Sequence, residues 1–202
     1  HSIWMEQYHR SYIERDIRRL FPRLNIIRYR RFTGMLSSSN GTVINRSELG
    51  RSLDTSEVTI KDYLDIAEGT FLWRNVFSYE KSVSRSVVKK PRGHFRDSGL
   101  SLWLQRIKTI SQLIEYPGVG SSFEAFVTEE LVKGFSAGAL SMPEYYYYRT
   151  KNGAEVDLVV CGDFGILPIE IKFGTHIKPG ATRWLRDFLD KNGIPLGLII
   201  NN

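Results

Sequence analysis

The stretch EVDLVVCGDFGILPIEIK, residues 155–172, limits the possible folds more than any other part of this chain. Two apolar runs flank a Gly-Asp-Phe-Gly turn, the signature of an antiparallel β-hairpin. With 162–165 as the loop, Cys161 pairs with Ile166. The same register sets Asp157 opposite Glu170 and Glu155 opposite Lys172. Strand alternation then sends Val156, Leu158, Val160, Leu167, Ile169 and Ile171 to one buried face. The other face carries Val159, Cys161, Ile166 and Pro168 near the turn, and the four charges at the far end.

Directly opposed side chains have Cβ atoms ~4.5–5.5 Å apart, so Asp157 and Glu170 repel unless something neutralises them. A shared proton, the cations Lys172 and Arg149, or a divalent metal would each serve. Mg²⁺ takes oxygen ligands at ~2.1 Å, and two converging carboxylates with waters make half of such a site. Lys172, two residues beyond Glu170, then stands where it can hold a phosphate or acidify an attacking water. Glu124, near the start of a preceding helix, is the candidate third carboxylate. By spacing alone the alternative stays open: an exposed strand end with a Glu155–Lys172 ion pair of small worth.

A chain of 202 residues with 42% hydrophobic and 12% aromatic content can bury one generous core or two small ones. The single cysteine, Cys161, excludes an internal disulfide and a Cys-cluster zinc site, and points to a reducing compartment. His1, His9, His94 and His176 show no zinc-ligand spacing. No apolar run approaches the ~20 residues of a membrane span and no signal segment is visible. The expectation is a soluble, cytoplasmic protein. Residues 1–120 hold 20 Lys and Arg against 12 Asp and Glu, whereas 121–202 hold 8 against 10. That asymmetry suits a nucleic-acid or acidic-partner surface on the first part.

Residues 3–32 predict two short helices broken at Pro22, with Ile13, Ile17, Leu20, Leu24 and Ile27 at helical spacing. A short helix over 47–53, a turn at Asp54-Thr55 and a helix capped by Ser56 and closed by Gly69 form a helix-turn-helix pattern. Strand-like TFLWRNV and VVKKPRGHF would supply the β-wing of a winged version. Thr55, Glu57, Thr59, Lys61 and Asp62 would face a groove, and Lys61, Arg74, Lys89, Lys90 and Arg92 would contact phosphates. Winged helices also serve as protein–protein spacers, and Glu57, Asp62 and Asp65 disfavour contact with a polyanion.

A change of style near residue 118 divides the chain into 1–118, a helical winged helix-turn-helix domain, and 119–202. The second part follows an α-β-β-β-α-β rhythm. Its first helix spans roughly 121–135, with Phe123, Phe126, Val127 and Leu131 on one face. EYYYYRT, the hairpin, the amphipathic PGATRWLRDFLDKNG and the final strand PLGLII follow. The fold class expected is mixed α/β, with a mixed sheet in the second domain.

Asp157 followed by Glu170-Ile171-Lys172, with Glu124 on the first helix of that series, resembles the PD-(D/E)XK nuclease superfamily and its restriction-endonuclease-like fold. Val156 stands where the motif has Pro. Nearly the whole chain is similar to the C-terminal region of a family of archaeal and bacterial AAA-type ATPases. The pieces that carry this are SYIERDI, TVINRSELGRSLDTSEVTIKDYLDIAEGTFLWRNV, KKPRGHFRDSGL, GSSFEAFVTEEL, YYYRTKNGAEVDLVV and PIEIKFG. The resemblance implies a winged helix followed by a nuclease-like domain. It carries metal ligands (Mg²⁺ or Mn²⁺) onto Glu124, Asp157 and Glu170, a catalytic lysine onto Lys172, and DNA as partner. No G-x-x-x-x-G-K-[ST] occurs in the chain, so ATP would enter only through an ATPase module upstream of His1. The alternative is a regulatory module of such an ATPase, with the nuclease-like unit as a non-catalytic scaffold for nucleic acid or a partner.

Overall fold

The computed structural model describes residues 2–80, 90–138, 142–150, 153–177 and 179–202. Lys89 lies outside them. α1 (Ser2–Ser11) runs through a π-helical stretch, Tyr12–Ile17, into Arg18–Leu20, and stops before Pro22. Phe21, which precedes the proline, leaves the helical region at φ −129° and ψ 72°, because the pyrrolidine ring disfavours the α conformation in its neighbour. α2 (Ile26–Ser37), α3 (Arg46–Ser52) and α4 (Glu57–Gly69) begin at Asn25, Asn45 and Ser56. Each capping oxygen accepts the amide three residues on, which satisfies a donor that the first helical turn leaves free.

These helices close on an aromatic core. Tyr63 meets Tyr29 and Phe32 edge-on at 5.4 Å, and the Tyr12 hydroxyl lies 3.0 Å from that of Tyr29 and 2.7 Å from Thr70 Oγ1. Ile13 and Ile17 are fully buried in this core, but Leu20 and Ile27 of the expected apolar stripe face outward. The π-helical turn and the break at 21–25 reset the helical phase between them, so a single 3.6-residue period does not carry through.

β1 (Thr42–Val43), β2 (Trp73–Ser78) and β3 (Arg92–Phe95) form an antiparallel ladder in the order β1-β3-β2. Gly93 sits at its centre because a Cβ there would overlap the buried Trp73 indole. α5 (Ser98–Leu104), α6 (Ile110–Glu115) and the long α7 (Val119–Ala137) lead into β4 (Glu144–Arg149), β5 (Glu155–Gly162) and β6 (Gly165–Lys172). A 3₁₀ turn, Pro179–Thr182, precedes α8 (Arg183–Asn192) and the edge strand β7 (Leu198–Asn201).

One seven-stranded sheet, β1-β3-β2-β4-β5-β6-β7, joins both parts of the chain. β2 pairs with β4 in parallel at Phe77 and Ser78, and β6 pairs in parallel with β7; the other neighbours are antiparallel. The fold is therefore mixed α/β. α7 covers one face of the second half of the sheet, packing Phe123, Val127 and Leu131 on Leu158, Val160, Ile169 and Ile171. Phe126 turns away, because only the i, i+4 row meets the sheet. α8 covers the other face with Leu185 and Phe188, and burial of the Phe188 ring contributes about 1.5–3 kcal/mol.

The hairpin keeps the register that the turn implied: Leu158↔Ile169, Val159↔Pro168 and Cys161↔Ile166. Its turn is tighter than the four residues expected, since Gly162 and Gly165 still pair and Gly165 takes φ +97°. The face assignment needs correction at Val156. The register of β4 on β5 shifts between Tyr146↔Val159 and Tyr148↔Val156, so Tyr147 faces two residues, Asp157 and Leu158. This β-bulge moves Val156 into the cluster under α8, while Leu158 stays with α7. Alternation cannot run through an inserted residue.

Candidate carboxylate and lysine site

The bulge falls on Asp157. Its carboxylate is buried and uses both oxygens: Oδ2 accepts the Ile171 amide at 2.9 Å and lies 3.4 Å from Lys172 Nζ, and Oδ1 lies 3.3 Å from Arg92 Nη1. Glu170, 4% exposed, places Oε1 2.6 Å from Lys172 Nζ. Its Oε2 is buried with no hydrogen-bond partner among the described residues. Lys172 thus bridges the two acids from the end of β6.

Glu124, on the first turns of α7, completes the electrostatic group. Burial first, and then the Asp157 charge, push its carboxyl up to about 7, against the opposing pull of Arg92 and Lys172. Burial and Asp157 likewise push Glu170 up to about 7, although Lys172 is bonded to it. Desolvation therefore outweighs the nearby ammonium. For Lys172 burial works downward, but Asp157, Glu170 and Glu124 together prevail and raise it, so the ammonium is held at neutral pH.

Three answers were open for the Asp157–Glu170 repulsion, and the structure uses Lys172 together with a cation that local spacing did not supply. Arg149 lies 3.9 Å from Glu155 and not against Asp157. The second cation is Arg92, from β3, which contacts Asp157 and also Glu155 through Nη2. The alternative, a Glu155–Lys172 pair, gives way to these contacts. No group of three or more Asp, Glu, His or Cys close enough to hold a metal occurs among the described residues. The donor chemistry still suits a hard divalent ion: an unpartnered buried oxygen on Glu170, and two acids whose ionisation is held back by burial and like charge.

The basic residues expected to meet phosphate are dispersed. Lys61, on the exposed face of α4, pairs with Asp65 at 2.8 Å. Lys61 and Lys90 line one groove of about 300 Å³ beside Arg46, with Asp65 and Glu68 on the same wall. Arg74 points inward and binds Glu129 of α7 at 2.7 Å, with Glu129 only 3% exposed. Arg92 is buried in the acidic site. Neither arginine presents an open cation to a ligand in this conformation, because each has a buried carboxylate to satisfy.

Comparison with known proteins gives two family matches. Residues 1–111 match a family described as Domain of unknown function (DUF8612), and residues 119–202 match Domain of unknown function (DUF4143). Among curated relatives, Uncharacterized protein Rv2008c of Mycobacterium tuberculosis and Uncharacterized protein Mb2031c of Mycobacterium bovis are each 32% identical over 188 residues, 93% of this chain. The chain spans 41% of the length of each. No solved structure matches the chain at a significant level.

Proposed function

For this chain, which belongs to the family described as Domain of unknown function (DUF8612), we propose from the geometry of the carboxylate and lysine site a nucleic-acid-binding module with a PD-(D/E)XK-type site for Mg²⁺-dependent hydrolysis of DNA phosphodiesters. The observation that carries the reading is the convergence of Asp157, Glu170 and Lys172 at the ends of β5 and β6, with Glu124 of α7 within reach of the Asp157 and Lys172 charges. The order α2-β1-α3-α4-β2-β3, with its β1-β3-β2 ladder, supports a winged helix as the element that engages DNA.

The resemblance places the divalent ion on Glu124, Asp157 and Glu170, which would have to draw closer together to hold it; when bound, the ion polarises a phosphoryl oxygen and lowers the pKa of a bound water. The chain's own contribution is electrostatic and positional. Lys172 keeps its proton at neutral pH, so it stabilises negative charge on a phosphoryl oxygen and does not act as a base. The Ile171 amide fixes Asp157 Oδ2, and the apolar layer of Leu158, Ile169 and Ile171 beneath limits water on the far side. An ATPase module elsewhere in the natural protein would couple this unit to ATP.

Cleavage of single- and double-stranded DNA is the test, in Mg²⁺ or Mn²⁺, with wild type and Asp157→Ala. The expected result is metal-dependent cleavage that falls at least a hundredfold in the variant. Equal cutting by both would remove Asp157 from the site. A second reading, a non-catalytic binding module, is favoured by one observation: Arg92 already neutralises Asp157. Metal-independent DNA binding that weakens steeply with salt, with no cleavage of any substrate, would select it.

A further inference from the structure

Arg92 reaches the acidic site from a strand 65 residues away in sequence from Asp157. Its backbone is fixed in the ladder, opposite Val43 of β1 and Val76 of β2. Its side chain is 9% exposed, lies 5.4 Å from the Tyr147 ring centre, and spans Glu155 and Asp157 with its two terminal nitrogens. The Nε of the same guanidinium is buried and has no hydrogen-bond partner among the described residues. This arginine is thus held by charge more than by a complete set of hydrogen bonds.

The two oxygens of Asp157 differ in what binds them. Among the described residues, Oδ2 contacts the Ile171 amide and Lys172, while Oδ1 contacts Arg92 alone. Oδ1, with the fewer contacts, is the oxygen more open to a metal ion, and it is the atom the guanidinium occupies. We propose that Arg92 is a built-in competitor for the divalent cation: the ion binds Asp157 and Glu170 only as Arg92 withdraws from Asp157 Oδ1, and Arg92 thereby sets the metal affinity of the site. This rests on the reading of Asp157 and Glu170 as divalent-cation ligands. A guanidinium suits the role because its planar fork satisfies two carboxylates at once and never loses its charge. It carries one positive charge where the metal carries two, so exchange improves neutralisation of the three acids.

The experiment titrates Mn²⁺ into the intact chain by calorimetry and by electron paramagnetic resonance, with wild type, Arg92→Lys, Arg92→Met and Arg92→Met combined with Glu155→Gln. Removing the guanidinium is expected to tighten Mn²⁺ binding at least tenfold, and Arg92→Lys to change it by less than threefold. Adding Asp157→Asn should abolish the gain. If Arg92→Met alone does not fold, the double variant, which also removes a stranded acid, carries the same comparison. Folded variants that bind Mn²⁺ no tighter than wild type overturn the proposal. Tighter binding without cleavage of any nucleic acid upholds it and overturns the catalytic reading. Metal-dependent cleavage by wild type, with unchanged affinity in the variants, does the reverse.

Discussion

Replacing Glu170 by glutamine should stabilise the protein at pH 8 while damaging its site. The glutamate is 4% exposed, has one unpartnered oxygen, and shares its surroundings with the Asp157 charge. Its carboxyl is raised from an ordinary 4.5 to about 7, so the folded protein holds the proton more tightly than the unfolded chain does. The contribution to stability is full below pH 4.5, fades as pH rises through about 7, and is gone above it. At ~1.36 kcal/mol per pH unit the gap corresponds to about 3 kcal/mol. Glu124 and Asp157 share the same strain, and Lys172 loses one of its anionic partners in the variant, so the net gain expected from Glu170→Gln is roughly 1–2 kcal/mol. Urea unfolding in chelator at pH 8 and pH 4.5 measures it: the variant should lead at pH 8, and the difference should shrink toward zero at pH 4.5. A variant less stable than wild type at pH 8 would refute the reasoning, because the 2.6 Å Lys172 bond would then outweigh burial and repulsion.

Two further perturbations test how the halves of the sheet are held together. Arg74→Ala leaves Glu129, 3% exposed and already pushed upward by burial, without its counter-ion, which should cost about 3–5 kcal/mol in urea unfolding at pH 8; Glu129→Gln on that background should recover most of the loss, and a loss under about 1 kcal/mol would mean that water or a proton already relieves the glutamate. Gly93→Ala places a methyl in the space of the Trp73 ring, which packs edge-on against Phe95 at 5.3 Å, so the melting temperature should fall by an amount equivalent to about 1–3 kcal/mol or more, and an unchanged melt would show that the indole can move aside.

Elements whose signals are local were legible in the sequence. Ser56 and Gly69 bracket α4 as their capping chemistry implies, and the break near Pro22 divides α1 from α2. The 162–165 turn fixed the hairpin register, and with it the proximity of Asp157 to Glu170 and Lys172. The errors lie where one residue interrupts a period. The bulge opposite Tyr147 sends Val156 to the α8 side, and the π-helical turn in the first helix spoils the stripe that would have buried Leu20 and Ile27. Neither interruption has a composition signal of its own, since Asp157-Leu158 and Tyr12–Ile17 are ordinary residues for regular strand and helix.

The sequence by itself determined which residue types could make a site and, through a two-residue strand period and a tight turn, which of them stand side by side on one hairpin. Tertiary structure alone decided their counter-charges. Arg92 and Arg74 read as phosphate-facing cations because they lie in the two strands expected to form the wing, yet parallel pairing of β2 with β4 carries the β1-β3-β2 ladder up to β5 and α7 and buries both on acids 65 and 55 residues away. No local period encodes such a contact. It exists because a buried carboxylate must find a partner wherever the sheet brings one within reach, and the sheet order is a property of the whole chain.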